Sequence, residues 1–414
     1  MVARVSIILP LSLVVALILC FATVALSSTF TDDNPIRVVS DGPHDFQSSD
    51  VFTNIVDIHD DDDDDDDAPI LPRSNIKAIY QFGDSISDTG NLIHENPTFK
   101  YARLPYGISF FQIPTGRPSN GLLMIDYFTK YLKMPFLDPY LKKDGNFSHG
   151  VNFAVAGAAA LNTSILAMKD IVTSNVTNSS LLVQLDWFKS HLNSICSTAS
   201  ECKEKLGKSL IMMGEIGGND YNSVLFGKTS MLKAYDLVPE VVQVIKYVIK
   251  EVIKLGAIRI VVPGNFPVGC MAINLALYKT NDSRMYDELQ CLKHLNQFAE
   301  FQNNKLQQAI RELQKDHPHV TIVYADYFSA FKEIIKHATS LGFDKDATMK
   351  VCCGVGENEY NFDMNRQCGS DGVVACEHPN QRIFWDGIHL TQHAYRIMAN
   401  WLIKYNFDPI FSMT

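Results

Sequence analysis

Between residues 76 and 405, short apolar segments of strand length alternate with amphipathic segments of helical length. The strand-like segments are Ile76–Phe82, Val151–Val155, Ser209–Ile216, Ile258–Val262 and Val320–Ala325. The helix-like segments are Asn120–Leu132, Leu181–Leu192, Leu237–Leu255, Leu289–Leu313 and 392–405. This alternation is typical of a parallel sheet with helices on both faces. The sequence therefore predicts an α/β protein with a mainly parallel sheet.

The first 27 residues differ from the rest of the chain. Arg4 precedes an almost unbroken apolar run, and Ala25-Leu26-Ser27 offers small residues for cleavage. This pattern predicts a secretory signal peptide over 1–27. An uncleaved membrane anchor is the alternative, because the run approaches spanning length. No later segment is long and apolar enough to span a bilayer, so we expect no stable membrane insertion of the mature protein.

Residues 28–73 form a strongly acidic segment. They hold 14 aspartates, including the run Asp60–Asp67, against Arg37 and Arg73, which gives a charge of −12. The whole chain carries −10, so the remaining residues are close to neutral. A block of like charges repels itself and buries little, so we expect a disordered tail or propeptide, with calcium or cation capture as an alternative role. The charge identifies no partner for the folded domain predicted over 74–414, and no nucleic acid is expected.

Eight cysteines follow the predicted signal peptide, and an even number in a secreted chain favours disulfides. Cys196 with Cys202, and Cys270 with Cys291, are the predicted local pairs. Three pairings remain open for the last four, with zinc binding as an alternative that adjacent cysteines fit poorly. These four are Cys352, Cys353, Cys368 and Cys376.

Glycosylation sequons suit the same compartment. Their acceptor residues are Asn146, Asn162, Asn175, Asn178 and Asn281. Together with the signal peptide and the cysteines, they predict a glycoprotein of the secretory pathway whose destination is the apoplast or the vacuole.

The first strand-like segment ends in Gly83-Asp84-Ser85. If the chain turns into a helix there, Ser85 lies at the carboxyl edge of the sheet. Open α/β sheets bind ligands at that edge, and the first helical amides carry a partial positive charge. A serine needs a base to become a nucleophile, and the oxyanion that it creates needs fixed donors. Taken alone the three residues also suit a simple turn, so the interpretation depends on the rest of the chain.

Three later motifs supply the remaining groups. Gly157, in a run of small residues, lets the backbone approach a reacting oxygen, although small residues also permit tight packing. Asn219 follows two glycines after a strand, where its amide can donate to an oxyanion instead of stabilising a turn. Asp386 and His389 stand three residues apart before a helix, so the carboxylate can hold one imidazole nitrogen while the other points outward. The alternative for this last motif is an N-cap network around Thr391.

These motifs, in this order, resemble the GDSL esterase/lipase family of the SGNH hydrolase superfamily in its secreted plant form. The resemblance covers roughly Ile76 to the end of the chain. Ile86 replaces the leucine of the family name, and Ala156 stands where many relatives have a glycine. The Gly-x-Ser-x-Gly elbow of α/β-hydrolases is absent from the sequence. Further supporting strings are Pro105-Tyr-Gly, His149-Gly-Val-Asn-Phe-Ala-Val-Ala-Gly, Val262-Pro-Gly-Asn-Phe-Pro-Val-Gly-Cys270 and Tyr324-Ala-Asp-Tyr.

The resemblance implies a flavodoxin-like three-layer α/β/α sandwich without cofactor or metal. It implies Ser85 as nucleophile, His389 as base and Asp386 as the acid that orients the base. It also implies an oxyanion hole made of the backbone amides of Ser85 and Gly157 and the side chain of Asn219.

The function that the resemblance implies is the hydrolysis of a small carboxylic ester through an acyl-enzyme. Within the family, the similarity is to plant esterases of specialised metabolism, so we expect an acetyl or methyl ester, for example of an alkaloid, and a monomeric enzyme. A lipase and a polysaccharide acetylesterase are alternatives of the same class. A secreted glycoprotein that binds a ligand without turnover is the alternative of another class, and the intact Ser85, Asn219, Asp386 and His389 argue against it.

Overall fold

The computed structural model describes residues 75–171, 176–226 and 230–413. The predicted signal peptide, the predicted acidic segment and the sequon at Asn175 lie outside the described residues.

A parallel sheet of five strands lies at the centre of the described chain. Its order is β2-β1-β3-β4-β5, the flavodoxin-like order. Every residue of β3 and β4 is buried, as is all of β1 except its first residue, because both faces of the sheet are covered. The strands are Ala78–Phe82 (β1), Gly150–Asn152 (β2), Ser209–Met213 (β3), Arg259–Pro263 (β4) and Thr321–Ala325 (β5).

The helices pack in two separate layers. In one layer α4, α5, α6 and α9 contact α7, and in the other α2, α10 and α12 contact α11. The predicted three-layer α/β/α sandwich is therefore confirmed. No helix in the described ranges combines the length and the apolar composition needed to cross a membrane. The helices are Asn91–Glu95 (α1), Met124–Tyr131 (α2), Thr163–Met168 (α3), Leu181–Ile195 (α4), Ala199–Gly207 (α5), Gly218–Phe226 (α6), Met231–Leu255 (α7), Ala272–Leu277 (α8), Lys293–Asp316 (α9), Tyr327–Lys336 (α10), Gln392–Tyr405 (α11) and Asp408–Phe411 (α12).

Three of the predicted helices begin elsewhere. Helix α2 starts four residues after the predicted Asn120, at Met124. Helix α7 starts six residues before the predicted Leu237, at Met231, because the Ser230 hydroxyl accepts the N–H of Leu232 and caps it. Helix α9 starts four residues after the predicted Leu289, at Lys293. The disulfide at Cys291 keeps the residues before α9 outside the helix.

The second strand is shorter than predicted. Its ladder ends at Asn152, whose Oδ1 accepts the Ala154 N–H at 2.9 Å and bends the backbone. Beyond this bend, the Phe153 N–H still donates to the Gln81 carbonyl at 2.7 Å, so the chain follows β1 to its carboxyl end.

Four disulfides join cysteines within the described residues. The predicted pairs Cys196–Cys202 and Cys270–Cys291 are confirmed. The four cysteines left open pair as Cys352–Cys376 and Cys353–Cys368, so the zinc alternative is wrong because no thiolate remains among them. We call the segment from Cys352 to Cys376 the stapled loop.

Candidate active site

The loops that follow β1, β2 and β3 meet at the carboxyl edge of the sheet. The Gly83 carbonyl accepts the N–H of Val155 at 3.2 Å, and the Asp84 N–H donates to the Glu215 carbonyl at 3.1 Å. Because β2 and β3 lie on opposite sides of β1, this is the topological switch point, where open α/β sheets bind their ligands.

Ser85 lies on a single turn at this edge. Gln184 fixes the end of the strand, because its Oε1 accepts the Gly83 N–H at 2.9 Å and its Nε2 donates to the Gly83 carbonyl at 2.8 Å. The Asp84 carbonyl accepts the Ser87 N–H at 3.1 Å and closes the turn around Ser85. Ser85 is 8% exposed, so only a small part of it reaches solvent.

The helix expected directly after Ser85 is not present. Helix α1 begins only at Asn91, after Gly90 with a φ of 141°. The Asp88 carboxylate accepts the N–H groups of Gly90, Asn91 and Leu92 at 2.7, 2.6 and 3.1 Å, so it caps the start of this helix. The prediction of a helix N-terminus at the serine is therefore wrong, and other donors must stabilise charge there.

Two buried carboxyl groups fix the loop after β2. Asp88 also accepts the Ala156 N–H at 2.8 Å, and Asp220 accepts the N–H groups of Ala160 and Leu161 at 2.7 and 2.9 Å. Burial raises the pKa of Asp88 to about 6 and that of Asp220 to about 7, against the opposing effect of these backbone donors. Both groups tie this loop to the turns that follow β1 and β3.

The backbone N–H groups of Ser85 and Gly157 have no acceptor among the described residues. Gly157 lies between the two anchors of its loop with a φ of 84°, and a Cβ there would lie 2.8 Å from Val176 Cγ1, so glycine fits best. Two unpaired donors on neighbouring loops are what a developing oxyanion requires. The N–H groups on either side of them, those of Asp84, Ile86, Ala156 and Ala158, are all hydrogen-bonded.

The side chain of Asn219 connects these two loops. Its Nδ2 donates to Asp84 Oδ2 at 2.9 Å and to the Ala158 carbonyl at 3.0 Å. Asn219 therefore lies between the neighbour of Ser85 and the neighbour of Gly157. Both of its amide hydrogens are engaged, so donation to an oxyanion requires that one of these bonds be exchanged.

Asp84 and Glu215 form a buried carboxyl pair behind Ser85. Asp84 is 3% exposed, Glu215 is 4% exposed, and a hydrogen bond joins their carboxyl groups. Burial raises the pKa of both groups, and the charge of Asp84 raises that of Glu215 further, well above its usual range. These shifts favour a proton on Glu215 over one on Asp84, so that Asp84 accepts it in the hydrogen bond between them. Asp84 can then also accept from Asn219.

Asp386 and His389 form a second group on the loop that precedes α11. His389 Nδ1 lies 2.9 Å from both carboxylate oxygens of Asp386. The loop is held in shape because the Trp385 N–H donates to the His389 carbonyl at 2.8 Å. His389 is 2% exposed, and its Nε2 is buried without a partner among the described residues. The capping role considered for Thr391 exists as well, because its hydroxyl accepts the N–H of Ala394 at 3.3 Å.

Asp386 is held as a carboxylate. Burial alone raises the pKa of Asp386, but the charge and hydrogen bonds of His389, together with the charge of Lys100, outweigh it and lower the pKa below its usual range. Tyr106 also donates its hydroxyl to Asp386 Oδ2 at 2.8 Å. The carboxylate therefore stays ionised and can stabilise a proton on His389.

Tyr101 contacts His389 and is influenced by charges on both the serine turn and the Asp386–His389 pair. The charges of Asp386 and Asp84 both raise the pKa of Tyr101, after burial, and its ring meets that of His389 edge-on at 5.7 Å. The charge of His389 likewise lowers the pKa of Asp84, next to Ser85, although burial dominates there. Within the described residues no hydrogen bond joins Ser85 to His389. Asp84 and His389 are therefore close enough to interact electrostatically, whereas Ser85 and His389 share no hydrogen bond.

The stapled loop holds the Asp386–His389 segment. The N–H groups of Cys352 and Cys353 donate to the carbonyls of Phe384 and Trp385 at 2.9 and 2.8 Å. A pocket between this loop and His389 is lined by side chains that include Lys100, Phe362, Arg366 and the Cys353–Cys368 disulfide, and Ser85 does not line it. The loop thus supports the imidazole on one side and bounds the adjoining pocket.

Four residues of this site have no role that the sequence predicts, and they are Asp88, Tyr106, Glu215 and Asp220. Asp88 and Asp220 lie within four residues of predicted site residues, which is a signal for a capping or anchoring role. No comparable signal points to Tyr106, because it is brought to Asp386 by the fold alone.

The predicted glycosylation sites differ in exposure. Asn146, Asn178 and Asn281 are exposed, and Asn162 is half-buried. The fifth, Asn175, lies outside the described residues.

A parallel α/β sandwich with a serine, an Asp–His pair and unpaired N–H groups at its switch point has the arrangement of a hydrolase. The GDSL-like lipase/acylhydrolase family model matches residues 79–402. The chain therefore belongs to the GDSL lipase/acylhydrolase family and has the SGNH hydrolase fold.

Several plant proteins with esterase names are similar over most of their length. Acetylajmalan esterase 2 of Rauvolfia serpentina is 44% identical over 330 residues, which cover 79% of this chain and 89% of that protein. A GDSL esterase/lipase of Arabidopsis thaliana is 45% identical over 336 residues, covering 80% and 86%. Sinapine esterase of Brassica napus is 44% identical over 334 residues, covering 79% and 85%. The chain is accordingly a carboxylic ester hydrolase.

Proposed function

We propose that the protein is a secreted serine esterase that cleaves a small carboxylic ester through an acyl-enzyme. Ser85 attacks the carbonyl carbon, and His389 Nε2 takes the hydroxyl proton and returns it to the leaving alcohol. Water then attacks the acyl carbonyl while His389 takes its proton, the bond to Ser85 Oγ breaks, and His389 returns the proton to Ser85 as the carboxylic acid leaves. The N–H groups of Ser85 and Gly157 hold the oxyanion, and Asn219 joins them when one of its present hydrogen bonds is exchanged.

The hydrogen bonding of the His389 imidazole is the observation that carries this proposal. His389 Nδ1 lies within hydrogen-bond distance of both carboxylate oxygens of Asp386. The neutral ring therefore carries its proton on Nδ1, and Nε2 is left as the base. Nε2 is buried without a partner among the described residues, which is costly unless the atom serves a reaction. In our proposal its hydrogen bond to Ser85 forms when substrate binds, since such contacts are often long in unliganded enzymes.

Fluorophosphonate labelling followed by peptide mass spectrometry tests the nucleophile. We expect a single labelled site, on the peptide that contains Ser85. Ser85→Ala should abolish labelling and lower turnover by about three to six decades. Ser87→Ala, on the same turn, is the matched control and should keep both. Hydrolysis at the wild-type rate by Ser85→Ala would exclude Ser85 as the nucleophile.

For the substrate, we propose an acetyl or methyl ester of a specialised plant metabolite, such as an alkaloid. Two relatives carry names that refer to small molecules, acetylajmalan and sinapine, which supports a small substrate. Mass spectrometry of the reaction products tests this substrate class. The purified protein is incubated with acetylated and methylated metabolites, with a triacylglycerol and with an acetylated polysaccharide. Preferred cleavage of the triacylglycerol or the polysaccharide would contradict a small-metabolite substrate.

We further propose that the protein is glycosylated in the secretory pathway and reaches the apoplast or the vacuole. Four disulfides in the described chain fit an oxidising compartment. Enzymatic removal of N-glycans should increase the electrophoretic mobility of the protein purified from plant tissue. Unchanged mobility would contradict glycosylation.

A further inference from the structure

Tyr106 connects a distant loop to the acid of the candidate site. It lies between the short 3₁₀ helix Lys100–Ala102 and α2, and its side chain is fully buried. Its hydroxyl donates to Asp386 Oδ2 at 2.8 Å, across 280 positions of sequence. The Tyr106 hydroxyl thus donates its hydrogen bond to one particular carboxylate oxygen of Asp386.

The two oxygens of Asp386 depend on different parts of the chain. Oδ1 accepts the N–H groups of Ile388 and His389 at 2.9 and 2.8 Å, so the local loop fixes it. Oδ2 has no main-chain donor among the described residues, and apart from the imidazole its partner is Tyr106. Because His389 Nδ1 is 2.9 Å from both oxygens, the plane of the carboxylate decides how the imidazole is held.

The phenol ring is itself fixed on both sides. It packs edge-on against Tyr101 with centroids 4.8 Å apart, and against Trp385 at 6.1 Å. The backbone of the same loop is secured because the Gly107 N–H donates to the Ser119 carbonyl at 2.9 Å. The hydroxyl of Tyr106 therefore has little freedom to leave Asp386.

The same loop is hydrogen-bonded to the residues that follow His389. The Ser119 hydroxyl donates to the Leu390 carbonyl at 3.1 Å, and Asn120 Oδ1 accepts the Gln392 N–H at 2.8 Å. These bonds and the Tyr106 bond bracket the Asp386–His389 segment from both ends.

We propose that Tyr106 is a positioning residue that acts through Asp386 to hold the His389 imidazole in the orientation needed for proton transfer. This inference rests on the proposed function. The hydroxyl fixes Oδ2, and it takes up part of the carboxylate charge that would otherwise bind the imidazolium proton more firmly.

The test compares Tyr106→Phe with a matched control, Tyr127→Phe. Tyr127 is also fully buried, and its hydroxyl donates to the Gln392 carbonyl at 3.2 Å, so each variant removes a buried phenol hydroxyl that donates a hydrogen bond. The ionisable groups around His389 stay the same in both variants. They are Asp386, Lys100, Asp84, Tyr101, Asp363 and Arg366.

For Tyr106→Phe we expect kcat to fall about ten- to hundredfold with little change in KM, the size of a lost hydrogen bond to a charged group. The acid limb of the kcat/KM profile should move to higher pH, because the carboxylate then holds the imidazolium more strongly. The NMR resonance of the His389 Nδ1 proton should move as well. Tyr127→Phe should change neither the limb nor the resonance.

Each outcome is decisive. A wild-type protein that hydrolyses esters but shows no fluorophosphonate label on Ser85 would contradict the proposed function and, with it, this inference. If the wild type is labelled and Tyr106→Phe matches Tyr127→Phe in kcat, acid limb and resonance, the inference alone is wrong. Should Tyr106→Phe not fold, p-aminophenylalanine and p-fluorophenylalanine installed at position 106 both fill the space. The first should retain activity because it can donate, and equal activity of the two would overturn the inference.

Discussion

Replacement of Glu215 by glutamine tests the reasoning about the carboxyl pair behind Ser85. The Glu215 side chain accepts the Gly218 N–H at 3.3 Å and is hydrogen-bonded to Asp84. Glutamine has the shape of the protonated carboxyl, so its oxygen can still accept from Gly218 and its amide can still donate to Asp84. We therefore expect Glu215→Gln to fold and to retain its esterase activity.

The expected signature is a change in the pH dependence of stability. Burial, and then the charge of Asp84, raise the pKa of Glu215 in the folded protein, whereas in the unfolded chain its pKa is about 4.3. The stability from this group is fully present below the unfolded pKa and is lost as pH rises toward the folded pKa. The loss amounts to about 1.4 kcal/mol per pH unit, because unfolding releases one proton. Between pH 5 and pH 7 the wild type should thus lose stability with rising pH that Glu215→Gln does not lose.

Urea unfolding at pH 5, 6 and 7, with the disulfides intact, measures this difference. Glu204→Gln is the control, because Glu204 is exposed and its pKa is lowered by Lys208. It should follow the wild type closely over this range. A constant difference between the wild type and Glu215→Gln from pH 5 to pH 7 would mean that Glu215 is ionised in the folded protein, which would refute the shared proton.

Three further substitutions probe the site and its support. Asn219→Ala should lower turnover on the order of 100- to 1000-fold, as measured with a p-nitrophenyl ester, and an unchanged rate would exclude it as an oxyanion donor. Gly157→Ala, at a φ of 84°, should lower turnover roughly tenfold through backbone strain, whereas Gly207→Ala, where nothing lies within 4 Å of the new Cβ, should not. Replacing Cys353 and Cys368 together by serine opens a loop with a sequence separation of 15. This should lower the free energy of unfolding in urea titrations by about 3 kcal/mol. Equal unfolding midpoints of the variant and the wild type would contradict this stabilising role of the disulfide.

The sequence predicted the parts of the fold that follow from periodicity. Apolar runs such as Ser209–Met213 are buried along their whole length, so they are easy to recognise. Features set by contacts distant in sequence were harder to predict. Ser230 caps α7 ahead of its apolar stripe, and the disulfide at Cys291 delays the start of α9.

The candidate site divides in the same way. Asp386 and His389 are three residues apart, so their contact is local and could be predicted. The pair of Asp84 and Glu215 could not, because charged residues are ordinarily assigned to the surface and these two are buried only by the meeting of loops from separate strands. Tyr106 reaches Asp386 across most of the domain, and no short motif contains both.

The order of the elements along the chain also affects synthesis. All five strands of the described sheet end by Ala325, whereas Asp386 and His389 come after the stapled loop, close to the carboxyl terminus. A ribosome therefore makes the serine before most of the sheet and the base only after the whole sheet and the stapled loop. Under the proposed mechanism a nascent polypeptide that has not reached His389 cannot cleave esters, so catalytic competence requires synthesis to continue past the last strand.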